Sequence, residues 1–160
     1  MELKFRVAAR IARPVHDVFE AVADPQQLSH YFTTGGARGR LETGATVTWD
    51  FHDFPGAFPV RVVEVVPDQR IVLEWKANEG EAPNVEGGEM TAADYDTTVT
   101  MTFKDLGDGR TLVEIAEDGW RENQDALNAS YGNCQGWTGM LLALKVWIEH
   151  GINLREGLYK

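Results

Sequence analysis

Residues able to do chemistry are few in this chain, and they are scattered. The histidines His16, His30, His52 and His150 fall on four different elements, and no pair has the spacing of metal ligands. Asp50, His52 and Asp53 come nearest to a cation site, but strand alternation turns Asp53 away from the other two. Cys134 sits on an apolar helical stripe and reads as a small buried hydrophobe. A nucleophilic thiolate needs a nearby base, and the sequence supplies none. His16 and Asp17 are adjacent helical residues that point apart, so they form no dyad. The G-x-S-x-G, P-loop, G-x-G-x-x-G and H-E-x-x-H patterns are all missing. No catalytic residue, no metal and no cofactor is therefore expected.

The aromatic residues are the remaining signal. Five tryptophans occur in 160 residues. Trp49, Phe51 and Trp75 lie on strands, Trp120 at the sheet end, and Tyr131 and Trp137 on a long helix. If these rings face one another they either fill the core, the commoner fate, or wall an unfilled cavity suited to an apolar ligand. Trp147 falls at the flank of the helix and reads as packing.

The elements that must position these rings are legible from periodicity. Leu3, Phe5, Val7, Ala9 and Ile11 alternate with polar residues, which is a half-buried strand. Pro14 opens a short helix carrying Val15, Val18, Phe19 and Val22 on one face. Asp24-Pro25 breaks it, and a second short helix is expected over 26–32. Gly35-Gly36 turns the chain into a run of strands, including a weak one near 37–41. Strands follow around Val47–Phe51, Phe58–Val66, Ile71–Ala77, Val99–Phe103 and Thr111–Glu117, with Val113 and Ile115 on one face. Their short spacings favour an antiparallel meander.

Residues 78–96 interrupt that run with four Gly or Pro, six acids and no Lys or Arg. They read as a solvated surface loop, with a lid over a pocket as the alternative. The last helix is expected over 123–150, ended by Gly151, with a stripe of Leu127, Tyr131, Cys134, Trp137, Leu141, Leu144, Ile148 and Ile152, widened by Met140. Gly132, Gly136 and Gly139 weaken it by about 1 kcal/mol each. Close approach to the sheet, a bend or room for a ligand would have to offset that. One long helix against one curved antiparallel sheet is an α+β solution, read as a single domain over 1–160.

Composition removes several function classes. Fifteen Lys and Arg against 25 Asp and Glu leave a net charge of −10. That field repels phosphate backbones and anionic membrane surfaces, so neither nucleic-acid binding nor membrane insertion is expected. One cysteine cannot form an internal disulfide, the first twelve residues lack a secretory apolar region, and no apolar run approaches 18 residues. The expected setting is the cytoplasm.

Two segments resemble a known family. The stretch IARPVHDVFEAVADPQQLSHYF is similar to the opening of the START-like (SRPBCC) superfamily: a strand, a helix opened by Pro, an Asp-Pro break and a short aromatic helix. GWTGMLLALKVWIEHG is similar to the end of its bacterial branch related to the activator of the heat-shock-protein-90 ATPase, and Gly119-Trp120 after the last strand fits as well. The resemblance implies a helix-grip fold: six to seven curved antiparallel strands wrapped around a long C-terminal helix, with a cavity commonly between them. Trp49, Phe51, Trp75, Trp120, Tyr131, Trp137, Met140 and Leu141 are then the expected ligand-binding residues. An arginine such as Arg38, Arg40 or Arg121 would be needed to pair a ligand carboxylate.

The leading expectation is binding of a small hydrophobic or aromatic molecule, lipid-like or polyketide-like. The alternatives are a cyclase- or aromatase-like enzyme, for which His52, Asp50, Glu64 and Tyr95 are the candidate groups, and a chaperone-associated regulatory domain with a chaperone partner. Fold alone does not choose among them.

Overall fold

The computed structural model describes every residue except Asn84. Seven strands form one antiparallel sheet: β1 (Lys4–Ile11), β2 (Gly36–Arg38), β3 (Thr46–Asp50), β4 (Phe58–Val66), β5 (Arg70–Gly80), β6 (Met90–Asp105) and β7 (Thr111–Asp118). Their order is β1-β7-β6-β5-β4-β3-β2, so β2 through β7 run as a meander and β1 closes onto the last strand. Alternation sets the register. Phe5, Val7 and Ala9 pair with Glu117, Ile115 and Val113 on β7, and the inward residues of both strands meet on one face. The weak strand near 37–41 is confined to Gly36–Arg38.

Two short helices, α1 (Val15–Ala23) and α2 (Pro25–Tyr31), follow β1. Asp24 divides them, ending α1 and accepting the Gln26 N–H at the start of α2. Pro14 caps α1 from one position before its first residue, and Pro25 occupies the opening turn of α2. The long helix α3 (Gln124–His150) is capped by the Asn123 side chain, which accepts from the Ala126 N–H. It ends at Gly151, whose φ of 70° is the left-handed conformation that glycine adopts without steric cost. Among the described residues no helix is long and apolar enough to cross a membrane. Leu73, Val99 and Ile115 from the sheet join Trp137, Leu141 and Leu144 from α3 in one buried cluster.

Two expectations are corrected. Residues 78–96 are loop only in their middle: β5 continues to Gly80 and β6 begins at Met90, leaving 81–89 as connection. Asn84, inside that stretch, lies outside the described residues. Glu81, Glu86 and Glu89 do lie in that connection, while Asp94 and Asp96 misled because they occupy outer positions of β6. Asp94 binds Arg121 at 2.6 Å and Asp96 binds Lys76 at 3.1 Å, while Ala93 and Tyr95 pack against a small second cluster of Ala77, Trp120 and Ala126.

The second correction concerns the first half of α3. Tyr131 is 65% exposed, and Ile152 lies beyond the helix end, exposed as well. Ala126, Ala129 and Ser130 are buried in place of Leu127, Tyr131 and Cys134. Small residues let this end of the helix lie close to the sheet.

The helix glycines now have separate explanations. A Cβ on Gly132 would sit 3.1 Å from the Ala82 side chain of the β5–β6 connection. A Cβ on Gly139 would sit 2.2 Å from the Tyr159 hydroxyl of the C-terminal tail. At Gly136 no described heavy atom lies within 4 Å. The first two permit close packing, and the third borders open space.

Gly139→Ala should therefore displace Tyr159 and loosen the tail while leaving the helix intact. We expect carboxypeptidase to trim residues 156–160 about tenfold faster, the ratio for a loss of about 1.4 kcal/mol in docking, with far-UV circular dichroism unchanged. An unchanged trimming rate would show that this contact does not hold the tail.

Candidate functional site

The open space at Gly136 belongs to a cavity of about 460 Å³ between the sheet and α3. That volume lies within the range of small-molecule sites. Its wall is aromatic. Phe32 comes from the end of α2, Phe51 and Phe58 flank the β3–β4 connection, Trp75 stands on β5 and Trp137 on α3. Trp75 and Trp137 lie 5.4 Å apart at 31°, Phe32 stands 5.4 Å from Trp137, and Phe58 stacks 5.9 Å from Phe51. Gly132 and Gly136 form the helix side, and Ala82 and Pro83 of the β5–β6 connection reach the rim.

Beneath the two indoles lies a buried carboxylate. Glu117 on β7 is 1% exposed. Its Oε1 accepts from Trp75 Nε1 at 2.8 Å and Thr97 Oγ1 at 2.8 Å, and its Oε2 accepts from Trp137 Nε1 at 2.9 Å. Asn133 Nδ2 donates to both oxygens, at 3.1 and 3.2 Å. Burial pushes the Glu117 carboxyl above its ordinary value, and these four donors pull against that shift. Period two places Glu117 on the face of Val113 and Ile115, so the β7 alternation carried a signal for it. Only Val113 and Ile115 are expected on that face from the sequence, because an acid is seldom buried without partners.

A second buried charge stands at the cavity wall. After Gly151 the chain turns back, and Arg155 reaches Asp53 in the β3–β4 connection, Nε to Oδ2 at 2.7 Å and Nη2 to Oδ1 at 3.1 Å. Both side chains are almost wholly buried. The guanidinium carbon lies 4.9 Å from the ring centres of both Phe51 and Tyr159 and 5.8 Å from that of Phe32. Burial of an ion pair costs desolvation, and the bidentate geometry with stacked rings offsets it. No periodicity marks residues 152–160, so sequence alone gave no reason to single out Arg155.

The expected ligand-binding residues fall into three groups. Phe51, Trp75 and Trp137 line the cavity. Trp49, Met140 and Leu141 are buried in the main core behind it, with Trp49 edge-on to Phe32 and Trp75. Trp120 belongs to the second cluster, 5.6 Å from Phe5, and Tyr131 faces outward.

The candidate enzymatic groups are engaged elsewhere. His52 contacts Thr34, Asp50 accepts from the Gly56 N–H, Glu64 pairs with Arg70 and Tyr95 donates to Glu79. Arg40 is held by Glu20 and Arg121 by Asp94, and Arg38 is exposed on β2. Asp53, expected to point away from Asp50 and His52, is committed to Arg155.

The family model described as activator of Hsp90 ATPase homolog 1-like protein matches residues 12–149. The chain belongs to that family. Among curated proteins no sequence match is found. Solved structures share its helix-grip architecture. The SSP2350 protein of Staphylococcus saprophyticus aligns over 96% of both chains at 22% identity, with a TM-score of 0.74. DynU16, a protein of the dynemicin biosynthetic locus, aligns over 92% of this chain and 48% of its own at 23% identity, with a TM-score of 0.70. The Aha1 dimer from Colwellia psychrerythraea aligns over 93% of this chain and 98% of that one at 16% identity, with a TM-score of 0.67. Identities this low establish a shared fold and nothing finer.

Glu117→Gln replaces one accepting oxygen with an amide that faces indole and hydroxyl donors. We expect a loss of about 3 kcal/mol in denaturant unfolding, from donors left without an acceptor. The loss is pH-dependent. The native state keeps the Glu117 proton above the ordinary value of 4.5, so the wild type binds more protons folded than unfolded and loses stability as pH rises through that titration. The gap between wild type and Glu117→Gln should narrow over the same interval. A gap that widens with pH would show that the donors outweigh burial.

Proposed function

We propose that the protein binds a small hydrophobic or aromatic molecule in the cavity between sheet and helix. The observation that supports this most is the unfilled volume itself. Well-packed interiors leave few voids larger than a water molecule, yet here seven aromatic rings border about 460 Å³. The helix retains glycine at position 136, where an alanine methyl would meet no described neighbour within 4 Å. A glycine in a helix interior costs about 1 kcal/mol relative to alanine. Where no neighbour demands it, room for a ligand is the benefit that offsets the cost. Flat rings give such a ligand large contact area in a few fixed orientations.

The uncharged probe N-phenyl-1-naphthylamine tests this reading. It should quench the emission of Trp75 and Trp137 saturably, with a Kd on the order of 10 µM for a ligand of this size. Gly136→Leu places an isobutyl group in the cavity. It should weaken the probe at least tenfold while leaving the thermal midpoint equal or higher. An absence of saturable quenching in the wild type would overturn the proposal. So would undiminished affinity in a folded Gly136→Leu protein.

A further inference from the structure

We propose that Arg155 selects the ligand, and that the ligand is an uncharged planar molecule presenting a carbonyl oxygen. This inference rests on the cavity being a binding site and specifies what that site recognises.

A guanidinium offers five N–H groups in a rigid plane. In Arg155 one edge, formed by Nε and Nη2, is spent on Asp53. Nη1 points away from that edge and finds no acceptor among the described residues. The side chain lines the cavity and is 5% exposed, so the N–H groups that Asp53 leaves over have the cavity as the space open to them. Phe51 and Tyr159 hold the plane by stacking. Two other donors on the wall have prior partners: Lys76 binds Asp96 at 3.1 Å, and Asn133 binds Glu117. The Asn78 amide also borders the cavity but lacks the charge and the ring-stacked setting of Arg155. Arg155 is thus a fixed, charge-assisted donor at the wall of an aromatic-rich space.

The charge balance chooses between acceptors. Asp53 already neutralises the guanidinium, so a ligand carboxylate would add a second anion beside it in a poorly hydrated wall. Glu117 lies beneath the same wall, and the β5–β6 connection at the rim carries Glu81, Glu86 and Glu89. A ketone or quinone oxygen accepts the Nη1 hydrogen bond without adding charge. Arg155 also lies outside residues 12–149, the segment matched by the family model, so this recognition element belongs to the chain's own C-terminal tail.

Three naphthalene probes of the same shape class test the inference: 2-acetylnaphthalene, its isostere 2-isopropenylnaphthalene, and 2-naphthoate. Calorimetry or tryptophan quenching on the wild type should show the acetyl compound binding about tenfold or more tighter than the isopropenyl compound, the ratio a charge-assisted hydrogen bond supplies, with naphthoate weaker than the acetyl compound. Replacing the pair together, Asp53→Leu with Arg155→Leu, avoids leaving a lone buried carboxylate. It should bring the acetyl-to-isopropenyl ratio to about one. Should that variant fail to fold, Arg155→Lys takes its place. It keeps a cation opposite Asp53 but removes the planar second donor, and should lower the ratio by about threefold or more. A ratio unchanged in folded Arg155→Lys would likewise place the donor elsewhere.

Equal wild-type affinities for the acetyl and isopropenyl probes would overturn the role of Arg155 while leaving cavity binding intact. Tightest binding of naphthoate would overturn the uncharged class. A ratio that persists in the folded double variant would place the donor elsewhere. Failure of all three probes would instead overturn the binding reading itself.

Discussion

The structure depends on the solvation of one carboxylate. Glu117 is removed from water, and a buried charge is tolerated only where donors replace its hydration shell. Those donors come from three other elements: Trp75 from β5, Thr97 from β6, and Asn133 and Trp137 from α3. They converge only when α3 sits at one height and one rotation over the sheet. Apolar contacts alone, being non-directional, would tolerate a slide of the helix. The carboxylate therefore supplies the directional restraint, and it orients the two indoles that wall the cavity.

Around that restraint the interior divides into a filled half and an open half. Leu141 and Leu144 close the C-terminal half of α3 against strand residues such as Leu73 and Val99. The N-terminal half carries Gly132 and Gly136 where larger side chains would have met the sheet, and the cavity lies there. The open half is bounded by segments distant in sequence: the β3–β4 connection, the β5–β6 connection and the tail after Gly151.

The fold was legible because its signals are local and repeated. Alternation marked the longer strands from Leu3 to Glu117, and Asp24-Pro25 and Gly151 marked helix ends. The 78–96 excursion misread as loop shows the limit of composition, since acids on the outer face of a paired strand look like acids in a coil. The site was half legible. Phe51, Trp75 and Trp137 stood out as aromatics on facing elements. Trp49 and Trp120 did not separate from them, because residue type does not reveal which cluster a ring joins. Glu117 could have been found by continuing the β7 alternation two residues past Ile115. Arg155 had no such pattern, because its position depends on a chain reversal and on Asp53, 102 residues away.

The glycines of α3 have an evolutionary consequence. Positions 132, 136 and 139 lie within about two turns, and each governs a different clearance: to the β5–β6 connection, to the cavity and to the tail. Gly132 and Gly136 both border the cavity, but of the three only a Cβ at 136 would meet no described neighbour within 4 Å, so a lineage can resize the cavity there without first displacing the β5–β6 connection or the tail. The first step, from glycine to alanine, also favours the helix. Drift without ligand selection would therefore favour alanine at 136 and begin to close the cavity.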